Sequence, residues 1–136
     1  MHANHEAWFQ AFRARARELN RHIVLPEGVD DRTLLAAGKL LVEKLARITV
    51  LGDPEAMRAR AAELGVSLDG AILRNPATDP DGKDFAEAFY EARKHKGMTP
   101  EKAAETMRSP LYFGGMMVKT GQADGFVAGA LNTTGE

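Results

Sequence analysis

The run Arg93-Lys94-His95-Lys96-Gly97 places four consecutive basic or titratable side chains ahead of a glycine. Two residues later Thr99-Pro100-Glu101 reads as a helix start, with Thr as N-cap, Pro in the first helical position and Glu in the first turn. A helix that ends in cations thus abuts a helix whose first N–H groups are free, an arrangement able to hold an anion. The same residues also have a purely structural use, because cations in a last turn complement the helix dipole and glycine closes the helix. A second candidate is Asn132-Thr133-Thr134-Gly135, whose hydroxyls and backbone N–H groups could cradle a phosphate or could form an unspecific polar loop. A third, Pro26-Glu27-Gly28-Val29-Asp30-Asp31-Arg32, carries carboxylates enough for a metal, but Asp30 and Asp31 stand where a helix cap is needed. The histidines, at 2, 5, 22 and 95, form no pair with metal-site spacing, so no metal site is expected. No dinucleotide fingerprint, phosphate-binding P-loop or nucleophile elbow occurs.

The elements that must position these residues follow from apolar spacing. Residues 4–20 form an amphipathic pattern, with Trp8, Phe12, Ala16 and Leu19 on one face, expected to pack on its own domain. Residues 22–26 read as a strand buried on both faces, and Asp30 or Asp31 starts a helix with Leu34, Leu35, Leu41, Val42 and Leu45 as its apolar positions. Gly38 inside that helix suggests a close approach to the sheet. A second strand spans 47–51, and Asp53-Pro54-Glu55 opens a helix that Gly65 closes. A third strand spans 71–74 and is followed by a turn-rich loop over 75–83. A helix over 83–95 buries Phe85, Phe89 and Ala92, a short helix runs from Pro100 to about Met107, and another starts at Ser109-Pro110 with Leu111, Met117 and Val118 as core candidates. Gly114-Gly115 in it suggests very close packing. The last strand spans 124–128 and leads into the Thr-Thr loop. Strand and helix alternate, which is the rhythm of a parallel sheet covered on both faces, a three-layer α/β/α sandwich. In such sheets ligands sit beyond the carboxyl ends of the strands.

The 136 residues suffice for one domain with a proper core. The formal net charge of −1 provides no global field for nucleic acid or for a membrane surface. Absent cysteine removes disulfides, thiolate nucleophiles and cysteine zinc sites, and fits a reducing compartment. With no signal-type or membrane-length apolar run, a cytoplasmic location is expected.

Taken in order, several stretches resemble the phosphate acetyltransferases (phosphotransacetylases) and their acetyl/butyryl transferase relatives. They are Ile23-Val24-Leu25-Pro26-Glu27-Gly28 with Asp31-Arg32-Thr33-Leu34; Ile48-Thr49-Val50-Leu51-Gly52; the segment from Phe89 through Arg93-Lys94-His95-Lys96-Gly97 to Thr99; Tyr112-Phe113 with Met116-Met117-Val118-Lys119; and Ala123-Asp124-Gly125 with Gly129-Ala130 and Thr133-Thr134. The Arg-Lys-His-Lys-Gly run is the most specific of them. The resemblance implies reversible transfer of an acetyl group between coenzyme A and inorganic phosphate, with acetyl-CoA and phosphate as substrates and no other cofactor. It implies a fold of two α/β domains flanking a cleft, a homodimer or other homo-oligomer, and residues 1–136 as the amino-terminal part. Arg93 corresponds to the family arginine at the phosphate end of the cleft, and Asn132, Thr133 and Thr134 to the loop that lines it.

Departures accompany the resemblance. Asn132 stands where the family usually has His, and Gly135-Glu136 where it usually has Ala-Asp. The family's second arginine and its thiol-activating aspartate, with a neighbouring serine and arginine, fall beyond Glu136. Attack on a thioester or acyl phosphate builds an oxyanion that a forked, permanently charged guanidinium can bind bidentately. Removing the thiol proton requires a general base, for which His95 is a candidate by residue type alone. Two other functions stay open at this level. One is a non-catalytic anion-binding or regulatory module of the same fold, as in the phosphotransacetylase-like half of some malic enzymes. The other is a metal- and nucleotide-dependent dehydrogenase of related architecture, for which no acidic cluster or nucleotide loop is recognisable.

Overall fold

The computed structural model describes residues 2–131. Helix α1 (His2–Leu19) precedes strand β1 (His22–Leu25), followed by α2 (Asp31–Val42), β2 (Arg47–Leu51), α3 (Pro54–Leu64) and β3 (Ile72–Arg74). Next come α4 (Gly82–Arg93), a 3-10 turn (Lys94–Lys96), α5 (Pro100–Thr106), α6 (Pro110–Lys119) and β4 (Gly125–Phe126). The strands form one parallel sheet in the order β3-β2-β1-β4. The chain moves outward from β1 through β2 to β3, then crosses back to place β4 on the other side of β1. The strand order therefore reverses between β1 and β4, and a crevice opens at their carboxyl ends.

Alternating side chains divide the core between the two sheet faces. Val24 and Leu51 join Phe85, Phe89, Met107, Phe113 and Met117 from α4, α6 and the end of α5. Leu25, Ile48 and Val50 join Leu34, Ala37, Met57 and Ala61 from α2 and α3. Helices on both faces make the three layers that the βα rhythm predicts.

The helix starts follow the cap chemistry read from the sequence. Asp30 is the N-cap of α2 and its side chain accepts the Arg32 N–H at 2.8 Å. Asp53 caps α3 by accepting from Glu55 and Ala56, Pro54 opens the helix, and Gly65 closes it at φ +76°. Each such N-cap contributes about 1 kcal/mol.

Several expectations are revised. Among the described residues of α1 none is buried, and Trp8, Phe12 and Leu19 are exposed. Both sheet faces are already covered, so α1 lies at the margin. It is tied there by polar contacts: Arg17 donates to the Glu43 carbonyl at 2.8 Å, and Arg47 to the Asn20 carbonyl at 3.1 Å. Leu35, Val42 and Ala92 are exposed, because each points away from the one face its helix buries. Gly38 faces the loop after α3 rather than the sheet, and a Cβ there would lie 3.1 Å from the Val66 Cβ. Of the glycine pair in α6 only Gly114 packs closely, with Val24 and Leu51 as neighbours; Gly115 faces open space. The β4 ladder is shorter than the expected strand. Its pairing with β1 is nevertheless extended by Asp124 N–H donating to His22 and Val127 N–H to Val24. Among the described residues no helix is long and apolar enough to cross a membrane.

Gly28 shows how tightly the carboxyl ends of β1 and β2 are joined. Its N–H donates to the Leu51 carbonyl at 3.1 Å, and a Cβ would lie 2.5 Å from that same oxygen while also meeting the Met57 sulfur. The thioether can swing aside, but the backbone carbonyl cannot without opening the sheet. Gly28→Ala should therefore cost about 2–3 kcal/mol, at the upper end for overpacking. Urea unfolding followed by circular dichroism measures it, and a midpoint equal to that of the unmodified chain would refute the close approach.

Candidate functional site

The crevice at the β1/β4 reversal is built by the residues that follow each strand. After β1 the chain continues through Pro26-Glu27-Gly28, and after β4 through residues 127–131. Glu27 is only 5% exposed. One oxygen of its carboxylate accepts the N–H groups of Gly129 and Ala130 at 2.8 and 2.9 Å, and the other accepts Leu131 N–H at 2.7 Å. Arg32 donates from Nη2 to the Ala130 carbonyl while its fork also holds the Asp30 carboxylate at 3.1 and 2.9 Å. The start of α2 and the end of β1 together hold the segment after β4.

One cleft adjoins this segment at Leu131, and a second lies against Phe126 of β4. The first, about 400 Å³, is bounded by Glu27, Gly52, Leu131 and the first turn of α6 at Ser109 and Pro110. Ser109 makes no side-chain cap. The second, about 360 Å³, lies between the end of α4, one side of α6 and β4, and its lining includes Phe89, Arg93, Lys119 and Phe126. Leu111 and Tyr112 border both clefts.

Of the four basic or titratable residues at the end of α4, it is Arg93 that lines a cleft. Its guanidinium lies 5.4 Å from the centroid of the Phe89 ring, a cation–π contact, and it makes no ion pair among the described residues. Lys94 is turned to Glu91 at 2.7 Å, a bond that raises its pKa. His95 and Lys96 are exposed in the 3-10 turn, which Gly97 closes at φ +87°. Thr99 does cap α5, accepting Lys102 N–H at 3.2 Å. The cleft beside Arg93 nevertheless faces α6 and β4, and α5 contributes no lining residue. The pairing of the basic run with the following helix start is thus replaced by a pairing with the sheet edge.

The remaining candidates divide. Asn132, Thr133 and Thr134 lie outside the described residues; the three residues immediately before them are those that Glu27 and Arg32 hold. The acidic run after β1 is engaged in caps and ion pairs. Asp30 pairs with Arg32 at 2.9 Å and Asp31 with Arg60 at 2.7 Å, and the hydrogen bonds from these arginines hold both carboxyls below their ordinary pKa. Among the described residues no group of three or more His, Cys, Asp or Glu could hold a metal. His22 Nε2 lies 2.7 Å from the buried Thr49 hydroxyl, and desolvation lowers its pKa, with Arg47 adding to the effect. It stands at the amino end of β1, away from both clefts.

Glu27 is the residue whose part sequence reasoning missed. A carboxylate directly after a buried strand was visible, but its acceptor role depends on N–H groups 102 to 104 positions further on.

Residues 8–136 match the family model described as Phosphate acetyl/butaryl transferase. The chain is 54% identical over 120 residues to a phosphate acetyltransferase of Corynebacterium glutamicum, covering 88% of this chain and 36% of that protein. It is 41% identical over 121 residues to one of Clostridium acetobutylicum, covering 89% and 36%. The chain therefore spans about a third of the length of these relatives. Among solved structures it resembles a phosphotransacetylase from Streptococcus pyogenes, with TM-score 0.87 and 38% identity over 95% of this chain and 39% of the other. The EutD phosphotransacetylase from Staphylococcus aureus gives TM-score 0.82 and 37% identity over 93% and 38%.

Proposed function

The chain belongs to the phosphate acetyl/butaryl transferase family, and from that premise we propose that its carboxyl-edge clefts form the phosphate end of a site that transfers acetyl between coenzyme A and inorganic phosphate. The observation that carries this reading is the placement of Arg93. It lines a cleft against β4, beside the strand-order reversal, with no acidic partner among the described residues. In the forward reaction a phosphate oxygen attacks the carbonyl carbon of acetyl-CoA. The C–S bond breaks, the thiolate leaves, and acetyl phosphate forms. The charge gathers on phosphate oxygens and on the carbonyl oxygen, and a guanidinium fork can bridge two oxygens without gaining or losing a proton. Lys119, from α6, adds a second cation to the lining of the same cleft, and Asn132, Thr133 and Thr134 are the further anion ligands by family resemblance.

The same reading assigns the chain small-molecule substrates, no cofactor beyond coenzyme A as substrate, no nucleic-acid or membrane partner, a homo-oligomeric state and a cytoplasmic location. It also holds that these 136 residues alone do not turn over.

Phosphate binding is the direct test. Isothermal titration of the purified chain with inorganic phosphate should give saturable binding. Arg93→Ala should weaken it about tenfold to a hundredfold, the value of one charged hydrogen-bonded pair. Arg93→Lys should restore only part of this, because a point charge does not replace a fork. Equal affinities for all three proteins would remove Arg93 from the site.

A further inference from the structure

We propose that Phe89 is a positioning residue for the phosphate end of the site: its ring holds the Arg93 guanidinium by the face and leaves the N–H edges of the fork open to an anion. The inference rests on the reading of Arg93 given above and deepens it. Phe89 and Arg93 stand one turn apart on α4, so their side chains share a face of the helix. The guanidinium carbon lies 5.4 Å from the ring centroid. The ring itself is anchored. Phe89 is buried in the core with Phe85, Phe113 and Met116, and Tyr112 meets it edge-on, with centroids 5.9 Å apart and planes at 68°. The cation thus rests on a fixed surface, although Arg93 is exposed and is the last residue of its helix.

The manner of holding sets Arg93 apart from other arginines of the chain. Arg32, Arg60 and Arg74 give their N–H groups to carboxylates, those of Asp30, Asp31 and Asp79. A phosphate could engage those forks only by displacing a carboxylate. Arg13 also lies near a ring, at 6.0 Å from the centroid of Phe9, but Phe9 is exposed and Arg13 is paired with Glu43. The Arg93 guanidinium makes no hydrogen bond or ion pair among the described residues. Its N–H donors lie in the guanidinium plane, whereas a cation–π contact uses the face, so all of them stay available to oxygens. A long side chain held in this way loses less rotamer freedom when the anion arrives. The ring also works against repulsion. Lys119 lines the same cleft, and like charges would drive an untethered Arg93 toward solvent.

Titration with inorganic phosphate and nuclear magnetic resonance of the Arg93 side chain test this together. In the unmodified chain the Arg93 side-chain protons should be shifted upfield by the Phe89 ring current. Phe89→Leu should abolish that shift and weaken phosphate binding about threefold to tenfold. A pentafluorinated phenylalanine at position 89 keeps the shape of the ring but reverses the charge of its face. It should weaken phosphate by a similar factor, with a thermal midpoint within a few degrees of the unmodified chain, a combination that a purely packing role would not produce. In an Arg93→Ala background neither replacement should change the affinity that remains. Phosphate affinity unchanged by the fluorinated ring would overturn the inference, and so would an equal loss when Arg93 is absent. If Phe89→Leu does not fold, the fluorinated ring decides alone. Binding that is weakened by Arg93→Ala but untouched by the fluorinated ring removes Phe89 and leaves the reading of the site intact. A chain that binds no phosphate at all removes that reading and the role of Phe89 with it.

Discussion

Purified free of host enzyme, the 136-residue chain is expected to form acetyl-CoA from acetyl phosphate and coenzyme A at the uncatalysed rate. The expectation rests on which groups its clefts contain. Among the described residues no carboxylate and no histidine lines the cleft beside Arg93. Glu27 borders the neighbouring cleft, but its oxygens are engaged by three backbone N–H groups. Family resemblance places the thiol-activating aspartate and the second arginine beyond Glu136, and the chain covers 36% of its relative from C. glutamicum. A general base supplies about 10²–10⁴-fold. One preorganised oxyanion donor supplies about 10²–10³-fold. Without both, and without a second wall to orient coenzyme A, catalysis should fall below detection. A coupled spectrophotometric assay against a full-length phosphate acetyltransferase measures this. Turnover within tenfold of the full-length enzyme, abolished by Arg93→Ala, would show that the base lies within these residues.

The second large effect concerns the latch around Arg74 at the end of β3. Its guanidinium binds both oxygens of Asp79 at 2.8 and 2.9 Å, reaches Asp81 at 2.9 Å and Gln122 at 2.9 Å, and lies 5.0 Å from the centroid of the Phe113 ring. One side chain thus ties the third strand, the turn after it, the turn that follows α6 and the core. Arg74 and Asp79 are 17% and 11% exposed. Removing the cation would strand a largely buried carboxylate, a change that costs about 3–5 kcal/mol for a fully buried pair. Residual water contact reduces the expectation for Arg74→Met to about 2–3 kcal/mol.

The same pair sets a pH dependence. The hydrogen bond from Arg74 is the main reason that Asp79 titrates below its ordinary value. A carboxyl whose folded pKa is depressed stabilises the fold fully above its unfolded pKa, and that contribution is lost as pH falls through the folded value. The chain should therefore be at full strength near neutrality and weaken as pH falls below about 4. Asp79→Asn should flatten that acid loss without abolishing it, since Asp30 and Asp31 are depressed as well. Urea midpoints at about pH 6 and about pH 3 provide the comparison. Equal losses in both proteins would show that the pair does not contribute to acid sensitivity.

Much of the architecture was legible because its causes are local. Three of the four strands were placed within a residue by apolar runs ending in Pro or Gly. The starts of α2, α3 and α5 were marked by Asp30, Asp53-Pro54 and Thr99-Pro100, since a cap acts within three residues of itself. Which apolar residues are inside was only partly legible. Periodicity nominates a stripe, but the width of the neighbouring surface decides which of its members are covered. Leu34 is buried and Leu35 is not, Phe89 is buried and Ala92 is not, and the whole aromatic stripe of α1 stays exposed.

The amino-acid sequence by itself determined the βα rhythm, the caps, the family and the run of cations that ends α4. Those are properties of residue type and near-neighbour spacing. Tertiary structure alone decided that β4 lies beside β1 and that Arg93 faces β4 rather than the start of α5. It alone made Glu27 the anchor of a segment 102 residues away. The reason is physical: a buried carboxylate must find donors wherever the fold brings them, and sheet order, not sequence separation, determines which backbone N–H groups arrive.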